Sequence, residues 1–155
     1  MRLALIIANK IRKFYWKIAR PTRYGVKALI IHPQNSQQIL LVRQSYGDTR
    51  RYTLPGGGYA PTRETPEIAL RREIKEETGI DLVSPLLHLV NIVSEAEGKK
   101  DNLSIMKATA TSETVILNSE LNDFIWVNMD LQNLPKSMLV SNFVREAINA
   151  ASRNA

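Results

Sequence analysis

Three carboxylates, Glu73, Glu76 and Glu77, stand at i, i+3 and i+4 in the stretch RREIKEETGI. On a helix they share one strip roughly 100° wide, where like charges repel by a few tenths of a kcal/mol per pair. Three arrangements tolerate such crowding. The strip can be a solvated face paired with Arg71, Arg72 and Lys75. It can hold an acid and a base that work without metal, although these acids sit too close together for the spacing of a glycosidase pair. It can also hold a hard divalent cation, which takes oxygen ligands and cancels the repulsion.

The residues upstream favour the cation. LPGGGYAPTRE places Gly56, Gly57 and Gly58 directly before the acidic stretch. Consecutive glycines let a chain pass close to a ligand and turn backbone N–H or C=O groups toward a phosphate or its metal. Thr65-Pro66-Glu67 is a helix start, with Thr65 as N-cap, Pro66 at the first helical position and an acid in the first turn. Gly79 is a natural stop, so these signals predict a helix over 66–78. Leu70 and Ile74 would face the core, beside the sector that displays the carboxylates.

Around this unit the chain reads as short strands and two further helices. GVKALIIH and QQILLVRQ, joined by the turn cluster PQNSQ, predict a hairpin. LLHLVNIVSEA and LSIMKATA predict two strands around an EGKKDN turn, and DFIWVNM another. In MLVSNFVREAINAA, apolar residues at Val140, Phe143, Val144, Ala147, Ile148 and Ala151 predict a terminal amphipathic helix capped by Ser137. The elements argue for an α+β or mixed α/β sandwich.

With 155 residues and no second-domain signal, one domain over 21–155 is expected after an N-terminal segment, 1–20. In that segment Leu3, Ile7, Ile11, Tyr15 and Ile18 form one stripe and Lys10, Lys13, Lys17 and Arg20 another. This is the pattern of a basic amphipathic helix, ended by Pro21. It could pack on the domain or pair two subunits as a homodimer, with contact to an anionic membrane or to nucleic acid as alternatives. The apolar run LALIIA is too short for a secretory core or a membrane span. Nine basic residues precede the first acid, Asp48, whereas the remainder carries 12 basic and 15 acidic residues, so the net +6 belongs to the first third. Such asymmetry suits an anionic partner. The absence of cysteine excludes disulfides, thiol catalysis and Cys-zinc sites, and is compatible with a cytoplasmic location. His32 and His88 match no metal spacing and read as strand residues.

Gly58, Glu64, Arg72-Glu73-Ile74, Glu76-Glu77 and Gly79-Ile80 match every defined position of G-x5-E-x7-R-E-U-x-E-E-x-G-U, with U aliphatic. The chain therefore resembles the Nudix family. The motif spans 23 residues, about a seventh of the chain, and LLVR, LPGG and the late IWV strand extend the likeness over 22–150. The resemblance implies an α/β/α sandwich with a mixed sheet. It also implies Mg2+- or Mn2+-dependent hydrolysis of a nucleoside diphosphate linked to another group, the substrate being a nucleoside triphosphate or related small nucleotide. By the same resemblance Glu76, Glu77 and the Gly57 carbonyl are metal ligands, and Glu73 is a further ligand or the general base. Arg72, paired with Glu64, orients the cluster. Tyr52 stands where many members carry Trp, and Arg63 where Gly is frequent; both bear on pocket shape.

The substrate stays open in sequence. The positions 15–18 past Gly79 are Ser94, Glu95, Ala96 and Glu97, which lack the proline of ADP-ribose hydrolases and the tyrosine of many dinucleoside polyphosphate hydrolases. Gly56 and Gly58 are expected to border the substrate, and Arg43, Arg50 or Arg51 could clamp its phosphate. Tyr46, Tyr52, Tyr59 and Trp126 could stack on a base, and Glu95, Glu97, Glu113 and Glu120 are spare acids. The basic first third keeps removal of pyrophosphate from RNA 5′ ends in play. A non-catalytic nucleotide-binding protein on the same fold is disfavoured by the intact motif.

Overall fold

A computed structural model describes residues 21–46, 49–96, 99–132 and 134–153. The expected helix of residues 1–20 lies outside these. The described chain forms one mixed sheet of eight strands: β1 (Thr22–Ile31), β2 (Gln38–Gln44), β3 (Arg51–Thr53), β4 (Gly58–Tyr59), β5 (Leu87–Ala96), β6 (Lys99–Thr109), β7 (Leu121–Asn128) and β8 (Leu139–Val140). Two helices, α1 (Pro66–Thr78) and α2 (Asn142–Arg153), pack on it. The strand order is β5-β6-β1-β2-β3-β8, with β4 added to β1 and β7 to β2. β1 runs parallel to β6 and β3 to β8; the other pairs are antiparallel. This is the α/β/α arrangement expected from the sequence. No described helix is long and apolar enough to cross a membrane.

Alternation along β1 builds two cores. Val26, Ala28 and Ile30 face α1, where they meet Ala69, Leu70 and Ile74. Leu29 and Ile31 face the opposite side, where Val144, Ala147 and Ala151 of α2 close over them. The predicted hairpin exists only at its turn. β1 and β2 share a single register pair, Ile31↔Ile39, before β2 turns to pair with β7. The space between the diverging strands is filled by residues 54–59. Val26 N–H donates to Gly57 O at 2.9 Å, Ala28 N–H donates to Pro55 O at 3.0 Å, and Gly58 and Tyr59 pair with Gly25 and Tyr24. The glycine turn is therefore an inserted part of the sheet rather than a surface loop.

α1 has the predicted bounds. Thr65 Oγ1 accepts from Ile68 N–H at 3.3 Å, and Gly79, at φ 71°, donates its N–H to Lys75 O. Its last carbonyls are satisfied by the segment before β7: Ile116 N–H donates to Thr78 O at 2.9 Å and Asn118 N–H to Glu77 O at 3.1 Å.

Two boundaries differ from the sequence reading. The terminal helix begins at Asn142 rather than after Ser137, because Leu139 and Val140 pair in parallel with Arg51 and Tyr52. Ser141, buried, immediately precedes the helix. Val140 fits the helical apolar period, but its backbone is taken by the sheet. The expected EGKKDN turn is shorter, since Lys99–Asn102 extend β6, with Lys100 opposite Glu95 and Asp101 opposite Ser94.

Leu70 is fully buried between α1 and β1. Leu70→Ala is expected to cost about 2–5 kcal/mol of stability by urea denaturation, since the site cannot collapse around the missing methyls. A loss under about 1 kcal/mol would mean that α1 is not docked through this face.

Candidate functional site

The glycine turn and the acidic strip meet. Gly56 has φ 129°, and a Cβ there would strike Val26 O and lie 2.9 Å from the Cα of Lys27, so only glycine fits. Its N–H donates to Glu77 Oε2 at 2.8 Å. A Cβ on Gly57 would overlap the Glu73 carboxylate. Two of the three glutamates thus converge on the turn, one through a hydrogen bond and one through the room a missing side chain leaves. Glu76, 57% exposed, stands on the outer side of the strip.

Arg72 ties the cluster together. Its Nη2 and Nε donate to Glu64 at 2.7 and 3.2 Å, and its Nη1 to Glu73 Oε1 at 2.7 Å. The contact with Glu76 is longer, at 3.4 Å. The Arg72 hydrogen bonds hold the Glu64 carboxyl below the usual carboxylate range, and the Glu64 and Glu73 hydrogen bonds raise the guanidinium further above its own.

Glu77 is only 5% exposed. Burial is the main cause that pushes its carboxyl up to about 7; the Gly56 N–H and the positive charge of Lys27 oppose it, while Glu73 and Glu120 add to it. Burial in turn pulls the Lys27 ammonium below the usual lysine range, against the charge of Glu77. Lys27 Nζ donates to Leu54 O at 2.7 Å.

These groups border a cleft of about 680 Å³, ample for a nucleotide. Its floor includes one row of neighbours across four strands: Gly58 of β4, Gly25 of β1, Leu103 of β6 and Ile92 of β5. Phe143 of α2 closes the apolar side, while Asp101, Asn102 and Arg23 supply polar edges. On the acidic side, Glu120 reaches the cleft from the segment before β7, where its carboxylate accepts from the Tyr46 hydroxyl at 3.3 Å.

Of the residues expected at the site, Gly56, Gly57, Gly58, Glu73, Glu76 and Glu77 line the cleft, and Arg72 and Glu64 brace them from outside. Arg43 and Arg51 are not among its walls. Arg43 Nη2 pairs with Asp123 at 3.3 Å and its guanidinium lies 5.5 Å from the Tyr52 ring centroid, while Arg51 opens β3 beside Leu139. Sequence reasoning assigned nothing to Lys27. Its signal was a lone charge inside an apolar strand, at a position in step with Gly25 and Leu29. Glu120 stood out only as one of several spare acids. Trp126 packs partly against the core, edge-on to His32, and its Nε1–H donates to Glu113 O.

The donor set fits a hard cation. Glu73, Glu76 and Glu77 offer carboxylate oxygens, and the Gly57 carbonyl, which accepts one hydrogen bond from Val26, has a second lone pair. Among the described residues no three acids or histidines are already gathered around one point. The Arg72 Nη1 holds Glu73 and reaches Glu76.

A family model described as NUDIX domain matches residues 21–139. The chain belongs to the Nudix family. No protein of curated function matches it. Among solved structures, a MutT Nudix hydrolase from Burkholderia pseudomallei is 25% identical, with a TM-score of 0.69 over 83% of this chain and 97% of that one. A MutT protein from Methanosarcina mazei Go1 is 24% identical at 0.69, covering 87% and 96%. The Nudix domain of Shewanella oneidensis NrtR, solved with ADP ribose, is 20% identical at 0.67, covering 85% and 88%. These likenesses show a shared fold.

A folded-state value above that of the free chain means that the fold favours protonated Glu77. Its contribution to stability is fully present below about pH 4.5 and is lost as pH rises through about 7. Without metal, the melting temperature measured against that of Glu77→Gln should fall between about pH 5 and about pH 8. Parallel curves for the two proteins would contradict the buried state of this carboxyl.

Proposed function

We propose that this Nudix chain, through residues 21–155, is a metal-dependent pyrophosphohydrolase. It cleaves a nucleoside diphosphate linked to another group, most simply a nucleoside triphosphate or related small nucleotide. The observation that carries this reading is the convergence of Glu73 and Glu77 on the glycine turn at the edge of a nucleotide-sized cleft.

Glu73, Glu76, Glu77 and the Gly57 carbonyl would hold Mg2+ or Mn2+. The bound ion would supply neutralisation of the diphosphate and a lowered pKa for its water. The chain's own residues do the rest. Arg72 fixes Glu64 and Glu73 so that the strip meets the turn in one geometry. The N–H of Gly58 is a candidate donor to a phosphoryl oxygen. A water oxygen bonds to phosphorus, the bridging P–O bond breaks, and the leaving phosphate takes the electron pair. The proton passes to a carboxylate of the cleft, Glu73 or Glu120. The Ile92–Leu103–Phe143 side offers apolar area for the organic part of the substrate. ADP ribose bound to the Shewanella Nudix domain supports a ligand of the nucleoside-diphosphate class.

The basic first third favours a second reading, removal of pyrophosphate from RNA 5′ ends, and two of its residues, Arg23 and Lys27, line the cleft. Steep salt dependence and preference for RNA over mononucleotides separate the two. Turnover of any substrate with Mg2+ excludes a purely binding role.

The test is a nucleotide-library screen with Mg2+ and Mn2+ that reads phosphate or pyrophosphate release. On the substrate found, Glu76→Gln and Glu77→Gln are each expected to lower kcat/KM by about 100-fold or more, because a neutral amide is a poor ligand for a hard cation. Activity within about threefold of the parent in both variants would remove these residues from the reaction.

A further inference from the structure

The strip carries more charge than Arg72 can offset. Arg72 spends its guanidinium on Glu64, Glu73 and, more loosely, Glu76. Among the described residues, the hydrogen bond to the Glu77 carboxylate comes from the Gly56 N–H. A buried carboxylate without a counter-charge is costly. Among the described residues, Lys27 is a cation that lines the same cleft. It lies in β1 directly beneath Gly56, whose missing Cβ leaves room for the Lys27 backbone. Its Nζ donates to Leu54 O at 2.7 Å, two residues before Gly56. Of its three N–H donors, this hydrogen bond uses one. Lys27 and Glu77 both line the cleft, and Gly56, packed on the Lys27 backbone, donates its N–H to Glu77.

We propose that Lys27 is a resident counter-cation and positioning residue of the Nudix centre: its ammonium offsets Glu77 in the metal-free protein and sets how tightly the strip takes a divalent ion. The inference rests on the metal-binding reading given above. A dication entering beside Glu77 takes over the offset that Lys27 supplies, and it does so against the repulsion of the ammonium.

The experiment uses the full chain without substrate. Mn2+ binding is followed by electron paramagnetic resonance, and thermal unfolding is followed with and without Mn2+. Lys27→Met is expected to bind Mn2+ about tenfold more tightly than the parent. It should also melt lower without metal and gain a larger shift on adding it. Lys27→Arg, which keeps the charge, should restore affinity to within about threefold of the parent. A Lys27→Met protein that unfolds without metal and folds with Mn2+ is the extreme of the expected result. Unchanged or weaker Mn2+ binding in Lys27→Met, or a variant that stays unfolded at saturating Mn2+, overturns the proposal. No Mn2+ binding by the parent protein refutes instead the metal-binding reading beneath it.

Discussion

Repulsion among Glu73, Glu76 and Glu77 is the constraint to which the surrounding structure answers. Three acids on one helical strip are unfavourable in isolation, and burial of Glu77 makes them more so. The protein offsets the charge with hydrogen bonds and cations held at fixed places. Arg72 clamps Glu64 and Glu73, the Gly56 N–H reaches Glu77, and Lys27 adds a positive charge from the neighbouring strand. A cluster held in this way is a poor choice for stability alone. In the function proposed above, a divalent ion would enter and share its oxygens.

The sheet is arranged to bring these groups to one place. β1 leaves β2 after a single pair, and the glycine turn enters the gap, fixed by hydrogen bonds from Val26, Lys27 and Ala28. The same strand presents Val26, Ala28 and Ile30 to α1, so the helix is docked against the strand that holds the turn. At its far end, α1 is tied to residues 116–118, and two residues later that segment delivers Glu120 to the cleft. Turn, strip and cleft acid are therefore positioned by one connected set of backbone hydrogen bonds and core side-chain contacts.

Where local chemistry decides an element, the sequence was a sufficient guide. Thr65, Pro66 and Gly79 set the limits of α1, because capping and left-handed geometry are properties of the residues themselves. Gly56, Gly57, Gly58, Glu73, Glu76 and Glu77, singled out in the sequence by type and spacing, line one cleft. The start of α2 was not, because Val140 suits a helix period while its backbone groups are claimed by a strand almost ninety residues earlier in the chain. Arg43 was one of three arginines read as able to clamp phosphate from their proximity in sequence to the turn, yet register along β2 places it opposite Asp123. Lys27 could be located only once the packing of Gly56 on β1 was known, since nothing near it in sequence is acidic.

Anomalous diffraction from a crystal grown with Mn2+ tests the central claim most directly. A manganese peak is expected between the Glu73 and Glu77 carboxylates and the Gly57 carbonyl, with Glu76 released from Arg72 and Glu64 still held by it. A map that shows Arg72 bridging Glu73 and Glu76, with no peak beside the glycine turn, would contradict the account.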